Sequence, residues 1–253
     1  MLPTFRLIEK GKYDAFTNMA IDEALAASAK ESEVPVIRLG YSWKGPSVSL
    51  GINQSVNDAN LKYCARNGID VVRRPTGGQA LLHLPEDFTY CVIAEEEGIF
   101  SDFQKSYREI CSWIIGGLKI LGIKAEFDGK NSILAEGRKI AGNAQDRRKG
   151  VVMQHGSIFH SLDFESMEKI FKIKKSEIRK KTACISDFGD FYPERAYDAF
   201  RKSFLAGKRF FVDELNDGDM DRVSELLDTK YKKDEWNIGD KTLKKGSCHV
   251  QWN

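Results

Sequence analysis

Residues 123–162 constrain this chain more than any other stretch: about 40 residues read as strand, interrupted by one tight-turn signal at Glu136-Gly137. Strands that meet across a two-residue turn pair antiparallel, because a parallel partner needs a long crossover. The segment before it, residues 102–121, reads as the strongest helix. Phe103, Tyr107, Ile110, Ile114 and Leu121 recur there at helical spacing, with Ser101 placed to cap the start and Gly122 to end it. A second helix is expected over 18–29, with Thr17 or Asn18 as its cap and Asp22 and Glu23 complementing its dipole. Strand-like runs fall at 36–39, 47–50, 70–74 and 88–94, and a short helix at 61–67 is stopped by Gly68. After Asp163 the pattern turns helical, over 165–171, 194–205 and 219–227, with a short strand at 209–212. Helices that do not alternate strictly with strands, together with tight turns, predict an α+β fold with a mostly antiparallel sheet and flanking helices. No repeat or linker divides the chain, so one domain is expected over 1–253, with a smaller helical C-terminal part from about 163.

Composition narrows the class. With 42 % hydrophobic and 30 % charged residues in 253, the chain can bury a full core and is neither disordered nor collagen-like. No apolar run approaches the roughly 18 residues that cross a bilayer, and the first residues lack the layout of a secretory signal. The 39 Lys and Arg nearly balance 37 Asp and Glu, which gives no global reason to bind nucleic acid. Five cysteines (Cys64, Cys91, Cys111, Cys184, Cys248) without CxxC spacing read as reduced thiols. A cytoplasmic globular protein is expected, with no nucleic-acid or membrane partner.

Three short segments carry residue types suited to chemistry. The first is Arg73-Arg74-Pro75-Thr76-Gly77-Gly78, with His83 close behind. Paired glycines admit a ligand close to the backbone, their amide hydrogens can cradle an anion, and a guanidinium fork matches carboxylate or phosphate. Read alone, the segment is equally an ordinary turn beside solvated arginines, and it fits neither a Walker nor a dinucleotide pattern. The second is Gly137-Arg138-Lys139-Ile140-Ala141-Gly142-Asn143-Ala144-Gln145. Strand alternation puts Lys139, Asn143 and Gln145 on one face around small Ala141, with Ile140 and Ala144 opposite. The plain alternative is a half-exposed strand. The third is Gln154-His155-Gly156-Ser157, where spacing alone assigns no catalytic triad. A basic stretch (Lys169, Lys172, Lys174, Lys175, Arg179, Lys180, Lys181), interleaved with Glu168 and Glu177, reads as a solvated helical surface, with docking of an acidic protein as the sharper alternative.

Taken in order, Asn18-Met19-Ala20-Ile21-Asp22-Glu23-Ala24 and these three segments resemble the lipoate–protein ligase A family, part of the wider biotin/lipoyl attachment superfamily. The motifs span roughly 17–162, and the part ending near 231–237 is also similar. The resemblance implies a biotin/lipoyl-ligase-like catalytic domain. It implies activation of lipoate or octanoate with ATP and Mg²⁺ to an acyl-adenylate, then transfer to a lysine of a lipoyl domain. The acceptors would be acyltransferase subunits of 2-oxoacid dehydrogenases or the glycine cleavage H protein. Lys139 would be the catalytic cation at the acyl carbonyl and phosphate. Arg74, Thr76, Gly77 and Gly78 would hold the adenylate, with Asn131, His83, Gly142, Asn143, Ala144, Gln145, His155 and Gly156 completing the substrate site. No tightly bound prosthetic group is expected, and no metal ligands are assigned.

The chain departs from the ligase pattern in three places. Gly77-Gly78-Gln79 stands where ligases carry a glycine triplet, and Asn131-Ser132 where they carry Asn-Asp. No appended C-terminal domain is expected; in some organisms that domain is a separate accessory subunit. The rival is an ATP-independent octanoyl- or lipoyl-transferase that carries the acyl group as a cysteine thioester. Ala125-Glu126-Phe127-Asp128, where one transferase group has its cysteine, holds none. Cys184 is the only candidate nucleophile, and it reads more readily as a small buried residue. The expectation is a ligase, with the transferase as the alternative.

Overall fold

A computed structural model of the protein describes residues 3–239; Cys248 lies outside them. The chain opens with β1 (Thr4–Glu9), β2 (Lys12–Tyr13), the helix α1 (Ala15–Ser32), β3 (Val36–Trp43) and β4 (Ser47–Leu50). Next come α2 (Leu61–Arg66), β5 (Asp70–Arg73), β6 (Leu81–His83), β7 (Phe88–Glu95) and α3 (Phe103–Ile120). Four strands follow: β8 (Glu126–Phe127), β9 (Ser132–Ala135), β10 (Arg138–Arg148) and β11 (Val151–Ile158). The last third holds α4 (Phe164–Phe171), α5 (Lys175–Lys181), α6 (Pro193–Leu205), β12 (Arg209–Asp213), α7 (Asp217–Leu226) and α8 (Asp234–Asn237).

The fold is α+β. The larger sheet runs β12-β1-β3-β7-β11-β10-β9-β8, with β2 beside β3. It is antiparallel from β3 to β8, as the tight turns require, but parallel where β1 meets β3 and β12. A smaller mixed sheet, β5-β4-β6, carries the arginine pair at the end of β5. The Glu136-Gly137 hairpin is present, with φ +50° and +73°, the left-handed pair that suits the twist of two joined strands.

The two faces of the larger sheet bury different cores. Phe88, Tyr90 and Val92 of β7 pack with Ile110 and Ile114 of α3 and Phe200 and Phe204 of α6. The alternate residues Cys91 and Ile93 pack with Met153 and with α1. The C-terminal part is thus built into the fold: α6 lies on α3, and β12 extends the larger sheet with Thr4 opposite Arg209. No described helix is long and apolar enough to cross a membrane.

Both expected helix caps shift by a few residues. Asp14, not Thr17 or Asn18, caps α1 by accepting from Thr17 N at 2.8 Å. Asp102, not Ser101, caps α3 by accepting from Lys105 N at 2.7 Å. In each case a nearby carboxylate, before the expected cap of α1 and directly after that of α3, supplies a charged acceptor for the free amides.

Candidate active site

The turn after β5 is tied to the centre of the larger sheet. Thr76 Oγ1 lies 2.7 Å from His155 Nε2 on β11, and His155 Nδ1 lies 3.0 Å from Asp22 Oδ2 on α1. The other Asp22 oxygen accepts from Arg38 Nη1 at 2.8 Å, and Arg38 Nη2 donates to Asn18 Oδ1 at 2.7 Å. All five side chains are buried. Burial alone would push the Asp22 carboxyl up, but Arg38 and His155 outweigh it and hold it below the ordinary carboxylate range. Asn18 and Asp22 sit one turn apart on the sheet-facing side of α1, so neither works as a surface residue of the helix end. The expectation that Asp22 serves the helix dipole is corrected on that ground. Thr76, His155 and Asp22 have the order of a proton relay, but Thr76 is fully buried; what the relay does here is hold the turn.

Arg74 holds the turn from beneath. Its guanidinium donates to Ser49 O at 2.9 Å, Gly77 O at 2.7 Å and Gln79 O at 2.8 Å. Gly77 and Gly78 stay exposed above it, and their N–H groups have no hydrogen-bond partner among the described residues. Arg74 has no carboxylate partner in the described chain, and burial pulls it down to about 10. Arg73 points elsewhere: it donates to Gly51 O and Gln54 O, while its backbone N–H is capped by Asn237 Oδ1 of α8 at 3.0 Å. Gly51, which the sequence did not single out, is required here, since a Cβ on it would fall 2.0 Å from Gly78 O.

His83 is held from both sides, with Nε2 2.8 Å from Ser49 Oγ and Nδ1 3.0 Å from Ser157 Oγ, and its ring stacks on Trp43 at 4.0 Å. Burial, then Arg74 and His155, push it well below its usual value, so it is neutral.

Strand β10 corrects the expected alternation. A bulge between Lys139 and Ala141 lets Ile140 and Ala141 both enter the α3-side core. Lys139 is thereby thrown over Gly142, where an added Cβ would lie 3.1 Å from Lys139 Cε and 3.2 Å from Nζ. Burial, and Arg74 nearby, lower the Lys139 ammonium, with Asp128 opposing them. Asn143 and Gln145 go to the other face. Asn143 accepts from Tyr90 OH at 2.8 Å and donates to Asn131 O at 3.1 Å; Gln145 donates to Gln154 Oε1 at 3.0 Å. Gly156 stands opposite Asn143, and a Cβ there would fall 2.6 Å from Gly142 O and 2.9 Å from Tyr90 Cε1. Asn131 is exposed in a loop folded around Asp128, whose Oδ1 accepts from the backbone N–H groups of Lys130, Asn131 and Ser132. Ala144 pairs with His155 across the ladder.

The structure therefore groups Arg74, Thr76, Gly77, Gly78, His83, Lys139, Gly142, Ala144 and His155 on one side of the larger sheet. Asn143, Gln145 and Gly156 are placed behind it, as supports. Cys184 reaches the same region through the backbone: Thr182 bridges to Lys139, and Ala183 N donates to Lys139 O at 2.9 Å. The thiol is buried, with Sγ 3.2 Å from Ser186 Oγ, and burial and Asp187 push it up. Cys64, Cys91 and Cys111 are also free and buried, each raised by burial, Cys111 to about 12. Among the described residues no group of three or more His, Cys, Asp or Glu side chains could hold a metal ion.

The profile of the lipoyl protein ligase A/B catalytic domain covers residues 14–205, and the chain belongs to that family. Within it, the chain is 32 % identical to octanoyltransferase LipM of Anoxybacillus flavithermus, over 92 % of this chain and 98 % of that protein. It is 31 % identical to the LipM of Bacillus subtilis over the same shares. Among solved structures it is similar to a bipartite lipoate protein ligase of Thermoplasma acidophilum (TM-score 0.85, 25 % identity, 94 % of this chain and 97 % of that one). It is also similar to a lipoate-protein ligase A bound with ATP (TM-score 0.84, 27 % identity, 94 % and 99 %). The expected ATP-dependent lipoate–protein ligase is overturned by the curated relatives, which are named octanoyltransferases along nearly their whole length; the alternative reading stands better.

Proposed function

We propose that this chain is an octanoyl- or lipoyl-transferase that passes an acyl group from a thioester donor to the lysine of a lipoyl domain, without ATP. The observation that carries this is the 30–32 % identity to octanoyltransferases named LipM over 92–94 % of the chain. The enzyme acts as one catalytic unit in the cytoplasm. Cys184 is the acyl carrier and Lys139 its base. The joined backbones of Ala183 and Lys139 support that pairing. So does the lowered Lys139 ammonium, since a base must spend part of its time neutral.

In the first step Lys139 takes the Cys184 proton and the thiolate attacks the donor's carbonyl. The new C–S bond forms as the donor's breaks, and the donor thiol leaves with the proton from Lys139. In the second step the neutral amine of the acceptor lysine attacks the enzyme thioester. The C–N bond forms, the C–S bond breaks, and the proton shed by the amine returns Cys184 to the thiol. The free Gly77 and Gly78 amides and the uncompensated Arg74 charge favour the oxyanion at each step. His83, Thr76 and His155 hold that turn in place, and the acyl chain supplies the apolar part of the ligand.

The test is transfer of octanoate from an octanoylated carrier protein to an apo lipoyl domain with ATP omitted, followed by mass spectrometry of acceptor and enzyme. Transfer without ATP, an octanoyl mass on Cys184, and loss of both in Cys184→Ser are expected. Strict dependence on ATP, or undiminished transfer by Cys184→Ser, refutes the reading.

A further inference from the structure

Residues 172–181 hold six cations and one anion, Glu177. Without those ten residues the chain's 39 cations and 37 anions would stand at 33 against 36, so this short segment carries a local charge opposite to that of the remainder. Elsewhere the arginines and lysines of this chain commonly face carboxylates, as Arg6 does Asp213 and Asp219, Arg201 does Glu9 and Lys230 does Glu23. Here Lys175 pairs with Glu165 and Arg179 covers the Phe164 ring at 4.1 Å. Lys172, Lys174 and Lys180 are exposed and make no ion pair among the described residues. Ile173, between Lys172 and Lys174 in the chain, stands 39 % exposed.

This surface is fixed to the candidate site. Helix α5 is seven residues long, about 10 Å end to end. Ile178 anchors it in the core beneath β4 and α4, and its end runs straight into the Thr182 bridge to Lys139. A domain seated on α5 therefore adjoins the segment that carries Cys184, two residues past the Thr182 bridge. The unpaired charges of Lys172, Lys174 and Lys180 beside the exposed Ile173 steer an oppositely charged protein and seat it.

We infer that the turn between α4 and α5, with α5 itself, is the docking surface for the protein that accepts the acyl group, which presents an acidic face beside its target lysine. This inference rests on the transferase reading for its choice of partner. The acceptor is named rather than the donor because its reacting amine is a side chain of the domain itself, so the whole domain must seat beside Cys184, which α5 adjoins.

The test compares wild type with Lys172→Glu/Lys174→Glu/Lys180→Glu and, in case that variant folds poorly, with the triple glutamine variant. Binding of an apo lipoyl domain is measured by calorimetry at low and high salt, and octanoyl transfer is measured in parallel. Expected are binding at least 10-fold weaker in the glutamate variant, an intermediate loss with glutamine, and a wild-type affinity that falls with salt. KM for the lipoyl domain should rise with kcat and the KM for the donor carrier unchanged. Unaltered binding in both variants overturns the docking surface while leaving transfer intact, and a rise in KM confined to the donor overturns the choice of acceptor. If wild type binds the domain through this surface but transfers nothing, the functional reading fails and the docking surface stands.

Discussion

Asp22→Asn isolates the buried support under the turn. Asp22 and Arg38 are 0 % and 1 % exposed, so removing the carboxylate charge leaves a guanidinium in the core with no counter-charge. Breaking one side of such a pair costs about 3–5 kcal/mol. The asparagine oxygen can still accept from Arg38, which places the loss near the lower end, about 3 kcal/mol. For a chain of this size about 1 kcal/mol moves Tm by roughly 2–4 °C, so Tm should fall by about 6–12 °C. The effect has a sign in pH as well. The folded Asp22 carboxyl lies below its unfolded value, so its stabilisation is complete above the unfolded value of about 3.9 and is lost as pH falls through the folded one. The gap between wild type and Asp22→Asn should stay constant from pH 8 to 5 and narrow below 4. The assay is thermal and urea unfolding of wild type, Asp22→Asn, Arg38→Met and the double variant. The double variant should cost less than the two singles together, because the second change removes the stranded charge. Strict additivity, or a single-variant loss under about 1 kcal/mol, would refute the argument.

Three further outcomes follow from named contacts. Gly156→Ala drives a Cβ to 2.6 Å from the Gly142 carbonyl, a backbone atom that cannot rotate away, and should cost about 2–3 kcal/mol by urea unfolding, with soluble expression as a second readout. Lys139→Arg keeps the charge but not the base, so transfer should fall by about 10²-fold or more with the unfolding midpoint unchanged. In wild type the rate should rise with pH to a midpoint below the ordinary lysine value, because burial and Arg74 lower that ammonium; a pH-independent rate would sink its role as base. Asn237→Ala strips the cap from the Arg73 amide in a buried site and should cost about 1–2 kcal/mol, seen as earlier proteolysis of the β5 turn.

Much of the fold was legible because local signals and tertiary needs agreed. The Glu136-Gly137 hairpin, the glycine stops at Gly68 and Gly122, and the amphipathic 102–121 helix all state their conformation locally. The parallel pairing of β1 with β3 and β12 was not legible: it joins Arg6 to Val36 and Thr4 to the distant Arg209, residues that carry no mutual mark. The site was half legible. Lys139 reads as sharing a face with Asn143 and Gln145, yet the bulge at Ile140 reverses its face, and nothing in Lys-Ile-Ala-Gly announces a bulge. Asp22 looked like a helix-dipole residue because its partner Arg38 lies on another element. Gly51 could have been found from its place directly after the buried Ser47–Leu50 strand, where a glycine admits a second backbone.

The two arginines of one dipeptide divide the labour by parity. On β5 successive side chains leave on opposite faces, so Arg73 and Arg74 cannot serve one ligand together. Arg73 is spent on the carbonyls of Gly51 and Gln54 and on the α8 end of the chain, which fixes the strand. Arg74 is spent on the carbonyls of Gly77 and Gln79, which fixes the turn. Carbonyls solvate a guanidinium but do not neutralise it, so Arg74 leaves net positive potential under two exposed glycines whose amides are free. Burial and then Arg74 lower both Lys139 and His83. One cation without a carboxylate, one lysine lowered by burial and one neutral histidine suit charge that develops on an oxygen and disappears again, which is what the proposed acyl transfer requires.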